Sequence, residues 1–297
     1  MAPLKPLLNP TTTGPPTSPD QSIARQTLLL NNFQPSTWLL TIAALQGILT
    51  WLLPSAFKFT VIPALLILLY RIIDVLLITY GVKRNPAMDG IIREKFSAQI
   101  PFEDGSFGDR PSRDKVTVLI LGSKSNHPLG IFSPGYMKVA QLFADMVADL
   151  EENRDEYSYL TSSRWISNTD PTTNASREIM TIFYFRSLSG VHKFAHGPIH
   201  RKGWDWWSRN GKEHPEISIC HEVYEADAGR WENVYLNYRP MGLASAQFPI
   251  TKPQADKEGA TQGVTQWVSS IVDASKANMK SSKARLGWGS PSPQVGN

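Results

Sequence analysis

The chain has 297 residues with 30 basic and 26 acidic side chains, a formal net charge of +4. No long basic run accompanies that charge, which argues against a nucleic-acid partner. The single cysteine, Cys220, excludes an internal disulfide and a cysteine-based zinc cluster.

The first 36 residues are rich in Pro, Thr, Ser and Asn and read as a disordered tail. Two apolar runs follow. Trp38 to Leu53 has 16 residues and as a helix covers only about 24 Å. Phe59 to Tyr80 has 22 residues, enough for a hydrocarbon core of about 30 Å. Together they predict a bilayer anchor over 37–80, a helical hairpin in its simplest form, or one span preceded by an interfacial or re-entrant segment. No small-residue cleavage site follows them, so they are not a removable signal. Lys83, Arg84, Arg93 and Lys95 come directly after, which by the positive-inside rule turns the downstream domain to the cytosol, the endoplasmic reticulum being the expected membrane. Arg71 and Asp74, inside the second run, are spaced to pair on one helical face or to reach water near the interface.

Residues 81–114 read as a polar linker, with helix potential around Ala87 to Lys95. A folded domain is expected over 115–250. Val116 to Leu121 is a buried strand, Ser133-Pro134 opens a helix carried by Val139, Leu142, Phe143, Met146, Val147 and Leu150, and Leu160 to Ser167 and Glu178 to Phe185 are strands. A second helix runs from Ser189 to about Ser208. Glu216 to Glu225 is a strand, and Trp231 to Tyr238 is its predicted hairpin partner. The order β-α-β-β-α-β predicts an α+β, ferredoxin-like fold. One face of such a sheet is left bare, and two copies commonly pack through it as a dimer. Gly263 to Lys276 is expected as a final amphipathic helix within a C-terminal segment, 251–297, that ends in a tail.

Chemistry concentrates between Val191 and Glu222, which hold five of the six histidines. His192 and His196 are spaced i, i+4 on one helical face. His200 continues the series, but Gly197-Pro198 intervenes and should break the helix, so its alignment is less secure. His221 shares an apolar strand face with Ile217, Ile219 and Val223, where shielding suits a neutral base. Glu222 and Tyr224 share the opposite face. Trp204, Trp206 and Trp207 offer wide apolar surface, and Tyr235 and Asn237 alternate on the last strand, a pattern that suits a lipophilic ligand carrying a few oxygens. The candidate catalytic residues are therefore His196, His221 and His192. The candidate substrate-binding residues are Trp204, Trp207, Tyr224, Glu222, Tyr235 and Asn237. Hydrogen-bonded core histidines and ordinary cross-strand pairs remain the plain reading of the same residues. No dinucleotide fingerprint, P-loop or nucleophile elbow is present. No H-E-x-x-H pattern supports a metal site either.

The segment H-P-L-G-I-F-S-P-G-Y, with F-A-H-G-P-I-H-R-K-G-W-D-W-W, H-E-V-Y and W-E-N-V-Y-L-N-Y-R-P after it, resembles a fungal ABM-type (antibiotic-biosynthesis-monooxygenase-like) family, the group that includes the fumagillin-pathway monooxygenase. The likeness spans Val116 to Pro249. It implies a dimeric α+β barrel and the oxidation of a secondary metabolite such as a polyketide or terpenoid. Broader ABM-type enzymes often need no flavin, haem or metal: they deprotonate an activated carbon, and the carbanion-like substrate reduces dioxygen. A neighbouring lineage of similar fold binds haem through a histidine and dehydrates aldoximes. The expectation is thus a membrane-tethered, homodimeric monooxygenase with dioxygen as co-substrate and no other cofactor. The alternatives are a haem- or metal-dependent enzyme using the same histidines, or a non-catalytic module of a biosynthetic complex.

Overall fold

The computed structural model describes residues 2–14, 29–167, 178–255 and 261–288. Two helices come first, α1 (Pro35–Leu52) and α2 (Phe57–Thr79), joined by a short turn at Pro54–Ala56. Their apolar side chains are largely exposed. The Gln46 side-chain amide donates to the Thr60 hydroxyl at 2.7 Å and ties one helix to the other. By length and composition α2 can cross a membrane. Asp74 pairs with Lys83, beyond the helix end, and not with Arg71 as the i, i+3 spacing suggested.

The folded domain after the helices is built on four strands: β2 (Val116–Ser125), β3 (Tyr159–Ile166), β4 (Glu178–Phe185) and β5 (Ile217–Ala226). Their order in the sheet is β3-β4-β2-β5, with every neighbouring pair antiparallel. That order, with α3 (Tyr136–Glu152) between β2 and β3 and two further helices, α4 (Leu188–His196) and α5 (Pro198–Asn210), between β4 and β5, is the ferredoxin-like arrangement the sequence predicts. The helices cover one face. Leu119, Phe183 and Phe185 from the sheet meet Leu150 of α3 and Val191 and Phe194 of α4. Period-2 alternation places these strand residues on one side.

The other face is not bare. Phe96, Ala98 and Ile100 pack with Val116, Leu160, Leu243, Ala244, Phe248 and Ile271 in a second core, with Val118 and Tyr184 against it. Phe96 is fully buried, and losing such a ring costs about 3–5 kcal/mol. The expected 81–114 linker is therefore partly core: β1 (Phe96–Ala98) pairs with β8 (Ile271–Asp273). The helix expected around Ala87 to Lys95 is reduced to a turn at Pro86–Met88. What remains exposed on this face is Trp165, toward its other end, and Tyr224, on the edge strand beside Val118.

The C-terminal amphipathic helix is absent. Its residues form β7 (Thr261–Ser269), paired with β6 (Gln247–Ala255), and β8. Val268, Ile271 and Val272 are buried as strand residues, and their β-branched side chains favour that state. Trp231 to Tyr238 is no hairpin partner of β5. Instead the Asn233 side chain mimics a strand neighbour: its Oδ1 accepts from the Ala98 N–H at 2.6 Å and its Nδ2 donates to the Ala98 carbonyl at 3.2 Å. Tyr235 and Tyr238 form isolated bridges with Phe96 and Ile92.

The expected N-terminal tail is ordered at its start. Leu4 is buried beside Phe107 and Val268, and Pro6 and Thr11 bridge to Val272 and Trp267. The rest of that tail, 15–28, and the C-terminal tail, 289–297, lie outside the described residues.

Candidate active site

Helix α4 is placed at the end of β5 by its first turn. Ser187 caps it by accepting from the Gly190 N–H, and Glu225 of β5 accepts from the Leu188 N–H at 2.9 Å. That N–H, aided by Lys115, holds the Glu225 carboxyl below the usual range. Gly190 lies against the Tyr157 backbone: a Cβ there would come within 2.1 Å of the Tyr157 carbonyl oxygen. α4 stops at His196. Gly197 is extended and tucked near the Tyr157 hydroxyl, and Pro198 begins α5.

This break decides the histidine geometry. It folds His200, in the first turn of α5, back over α4, where its ring sits edge-on to Phe194 with centroids 5.2 Å apart. Burial lowers the His200 pKa from 6.5; the Ala195 backbone opposes this, and His221 and His196 push the same way as burial. His196 and His221 therefore both lie within electrostatic reach of His200. The His200 Nδ1 is buried without a hydrogen-bond partner.

His221 reaches this group from the sheet. It pairs in register with Leu121, and Val223 with Leu119, so all four point to the helix side. The expected shielding is not there: β5 is the edge strand, and His221 is exposed, as is Ile219. His192, one turn before His196, is exposed too and does not act on His200. The i, i+4 pair predicted from spacing thus gives way to His196, His200 and His221. His200 was discounted because proline breaks the helical series, yet the break is what brings it in.

The other candidates separate from this cluster. Glu222 and Tyr224 lie on the opposite sheet face, both exposed, with the Tyr224 hydroxyl donating to Glu222 at 2.6 Å. Tyr235 is on that side as well, stacked on Phe96 at 4.9 Å. Burial first, then Tyr184, pushes its phenol up to about 12. Tyr184, which sequence reasoning passed over, shares a cross-strand row with Val118 and Tyr224. Gly242 lies beneath both hydroxyls: a Cβ there would be 3.1 Å from the Tyr184 oxygen and 3.6 Å from that of Tyr235. The alternation Phe183-Tyr184-Phe185, a polar ring between two core rings, was the available signal. Asn237 is an exposed turn residue at φ 49° and joins neither group. Trp204 is 62% exposed, and Trp207 packs on Gly211 at the end of α5. Trp206, the third tryptophan of that group, stacks on His214 at 5.9 Å.

A chelated metal needs at least three converging donors. Among the described residues no such group of His, Cys, Asp or Glu exists. The histidine cluster is one half-buried and two exposed imidazoles, a donor set that suits proton transfer.

Residues 116–243 match the family model described as "Monooxygenase af470-like". The curated protein "Monooxygenase af470" of Aspergillus fumigatus is 30% identical over 287 residues, covering 96% of this chain and 98% of that one. The chain belongs to the af470-like monooxygenase family. As such it is an oxidoreductase. The family match covers the four-stranded sheet and both histidine-bearing helices, and it ends at Leu243, in the second core.

Among solved structures, an aldoxime dehydratase (OxdRE) in complex with butyraldoxime is 15% identical, covering 44% of this chain and 36% of that one with a TM-score of 0.36. SnoaB, a cofactor-independent oxygenase from Streptomyces nogalater, is 10% identical, covering 37% of this af470-like chain and 91% of its own with a TM-score of 0.24.

Proposed function

We propose that this af470-like protein is a membrane-tethered monooxygenase that oxidises a lipophilic secondary-metabolite intermediate, a polyketide or terpenoid, with dioxygen and no resident cofactor. The observation that carries the mechanism is the convergence of His196, His200 and His221 at the sheet edge, with burial favouring the neutral form of His200. A neutral imidazole near working pH is the side chain suited to take a proton from carbon.

In this reading His221 or His196, exposed at the rim, removes a proton from an activated CH2 group, and His200 behind them shares it. The carbanion gives its electrons to dioxygen, a C–O bond forms, and the peroxide loses water to leave a carbonyl. Atoms balance as CH2 plus O2 giving C=O plus H2O, the substrate carbon supplying all four electrons. α1 and α2 hold the domain at a bilayer, where such substrates partition, with the domain on the cytosolic face of the endoplasmic reticulum. The exposed part of the second sheet face, with Trp165 and Tyr224, is the surface through which two copies pair.

Metabolite profiling after gene deletion identifies the accumulating precursor. With that precursor, alanine at both His196 and His221 should abolish turnover, since general-base catalysis is worth about 100–10,000-fold. Full activity in the double variant sinks the assignment. A Soret band or stoichiometric metal in active purified protein replaces the cofactor-free route with the haem or metal alternative.

A further inference from the structure

Asn32 is the most buried residue of the segment before α1, at 1% exposure. Its Nδ2 donates to the Leu129 carbonyl at 3.0 Å and its Oδ1 accepts from the Ile131 N–H at 2.8 Å. Phe33 stacks on Phe132 with centroids 6.4 Å apart and meets Trp38 edge-on at 5.7 Å. The Trp38 indole N–H donates to the Leu30 carbonyl at 3.1 Å. The approach to α1 is therefore fastened to the loop after β2 by two hydrogen bonds and an aromatic chain.

From Pro128 to Pro134 the exposed residues of that loop are apolar. Leu129 is 50% exposed, Phe132 49% and Met137, in the first turn of α3, 66%. α1 starts three residues after Asn32, so the loop lies within about 10 Å of the helix start. Large apolar side chains exposed this close to a membrane helix have one matching environment, the bilayer interface.

We infer that Leu129, Phe132 and Met137, with Leu30 and Phe33, form a lipid-inserted seat that fixes the orientation of the domain on the membrane. The inference rests on α1 and α2 being the anchor. It has a consequence for the histidine cluster. Asn126 bonds the start of β5, its N–H to the Glu216 carbonyl and its side chain to Ser218. Ser125 pairs with Ile217, and His221 is four residues further on, about 13 Å along the strand. The seat thus sets the cluster within a short step of the lipid surface, and a hydrophobic substrate can pass to it without crossing bulk water.

The test uses the full chain with Cys220→Ser in phosphatidylcholine vesicles. Single cysteines replace Leu129, Met137 or, at the opposite end of the sheet, Ala228, and carry an environment-sensitive fluorophore. The expected result is co-flotation of all three proteins, with blue-shifted emission quenched by brominated lipid at 129 and 137 but not at 228. Co-flotation with water-like emission at 129 and 137 overturns the seat and leaves the anchor standing. Equal quenching at all three sites overturns the fixed orientation. No flotation removes the anchor reading and the seat with it.

Discussion

At the scale of single residues, His200 carries the most information. Burial against Phe194, with His196 and His221 nearby, lowers its pKa in the folded protein below 6.5. The unfolded chain then binds this proton more readily than the folded one, so stability rises with pH through this window. His200 contributes no penalty above 6.5 and destabilises the fold as pH falls below that value. Urea unfolding midpoints measured across this range should drop on acidification in the wild type. His200→Gln should show a shallower drop over the same interval. An identical slope in the two proteins would mean that burial does not disfavour the charged ring.

At the scale of elements, α4 depends on a close approach that only glycine permits. A Cβ on Gly190 would meet the Tyr157 carbonyl oxygen at 2.1 Å, and Tyr157 is itself buried in the helix-side core. Backbone cannot rotate out of the way as a side-chain tip can. Gly190→Ala should therefore destabilise the domain by about 1–3 kcal/mol and shift α4, lowering activity as well; an unchanged denaturation midpoint rules this out. The four strands and two helical regions of the sheet domain were legible because their apolar periods are strong: Glu178 to Phe185 emerged with the bounds predicted. The misread segments share a cause. Val264 to Val272 fits a helical stripe, yet its β-branched residues follow the pairing offered by β6, the strand just before it, and by β1, distant in sequence. Trp231 to Tyr238 alternates like a strand, but Asn233 spends its side chain on Ala98. In the site, the i, i+4 rule favoured His192 over His200, whereas the Gly197-Pro198 turn reversed their roles.

At the scale of the whole molecule, segments 2–14 and 282–288 pack beside the second core, where Leu7 meets it. Leu4 and Thr11 border β7 and β8, while α6 (Ser282–Arg285) holds the loop that carries Trp231 and Tyr235. Arg285 is 5% exposed and pairs with Glu232, and its Nη1 donates to the carbonyls of Met279 and Lys280. The Ser112 hydroxyl bridges the Trp231 and Arg285 carbonyls at 2.7 and 2.8 Å. The Trp288 indole N–H reaches the Gly229 carbonyl at 2.9 Å. A guanidinium suits this position because its fork serves a carboxylate and two carbonyls at once, which an ammonium cannot match in plane. Arg285→Ala leaves Glu232 without its cation and the Met279 carbonyl without its donor, while the Lys280 carbonyl keeps Lys95. The loss should fall below the roughly 3–5 kcal/mol of a fully buried pair, because the Glu232 side chain keeps 28% of its surface in water. Arg285→Lys should recover less than half of it. Urea unfolding followed by tryptophan fluorescence measures both, since Trp231 and Trp288 flank the contact. If Arg285→Lys restores the full midpoint, charge alone holds the loop and the forked geometry contributes nothing. If Arg285→Ala leaves the midpoint unmoved, the C-terminal segment is not what fixes Tyr235 against Phe96.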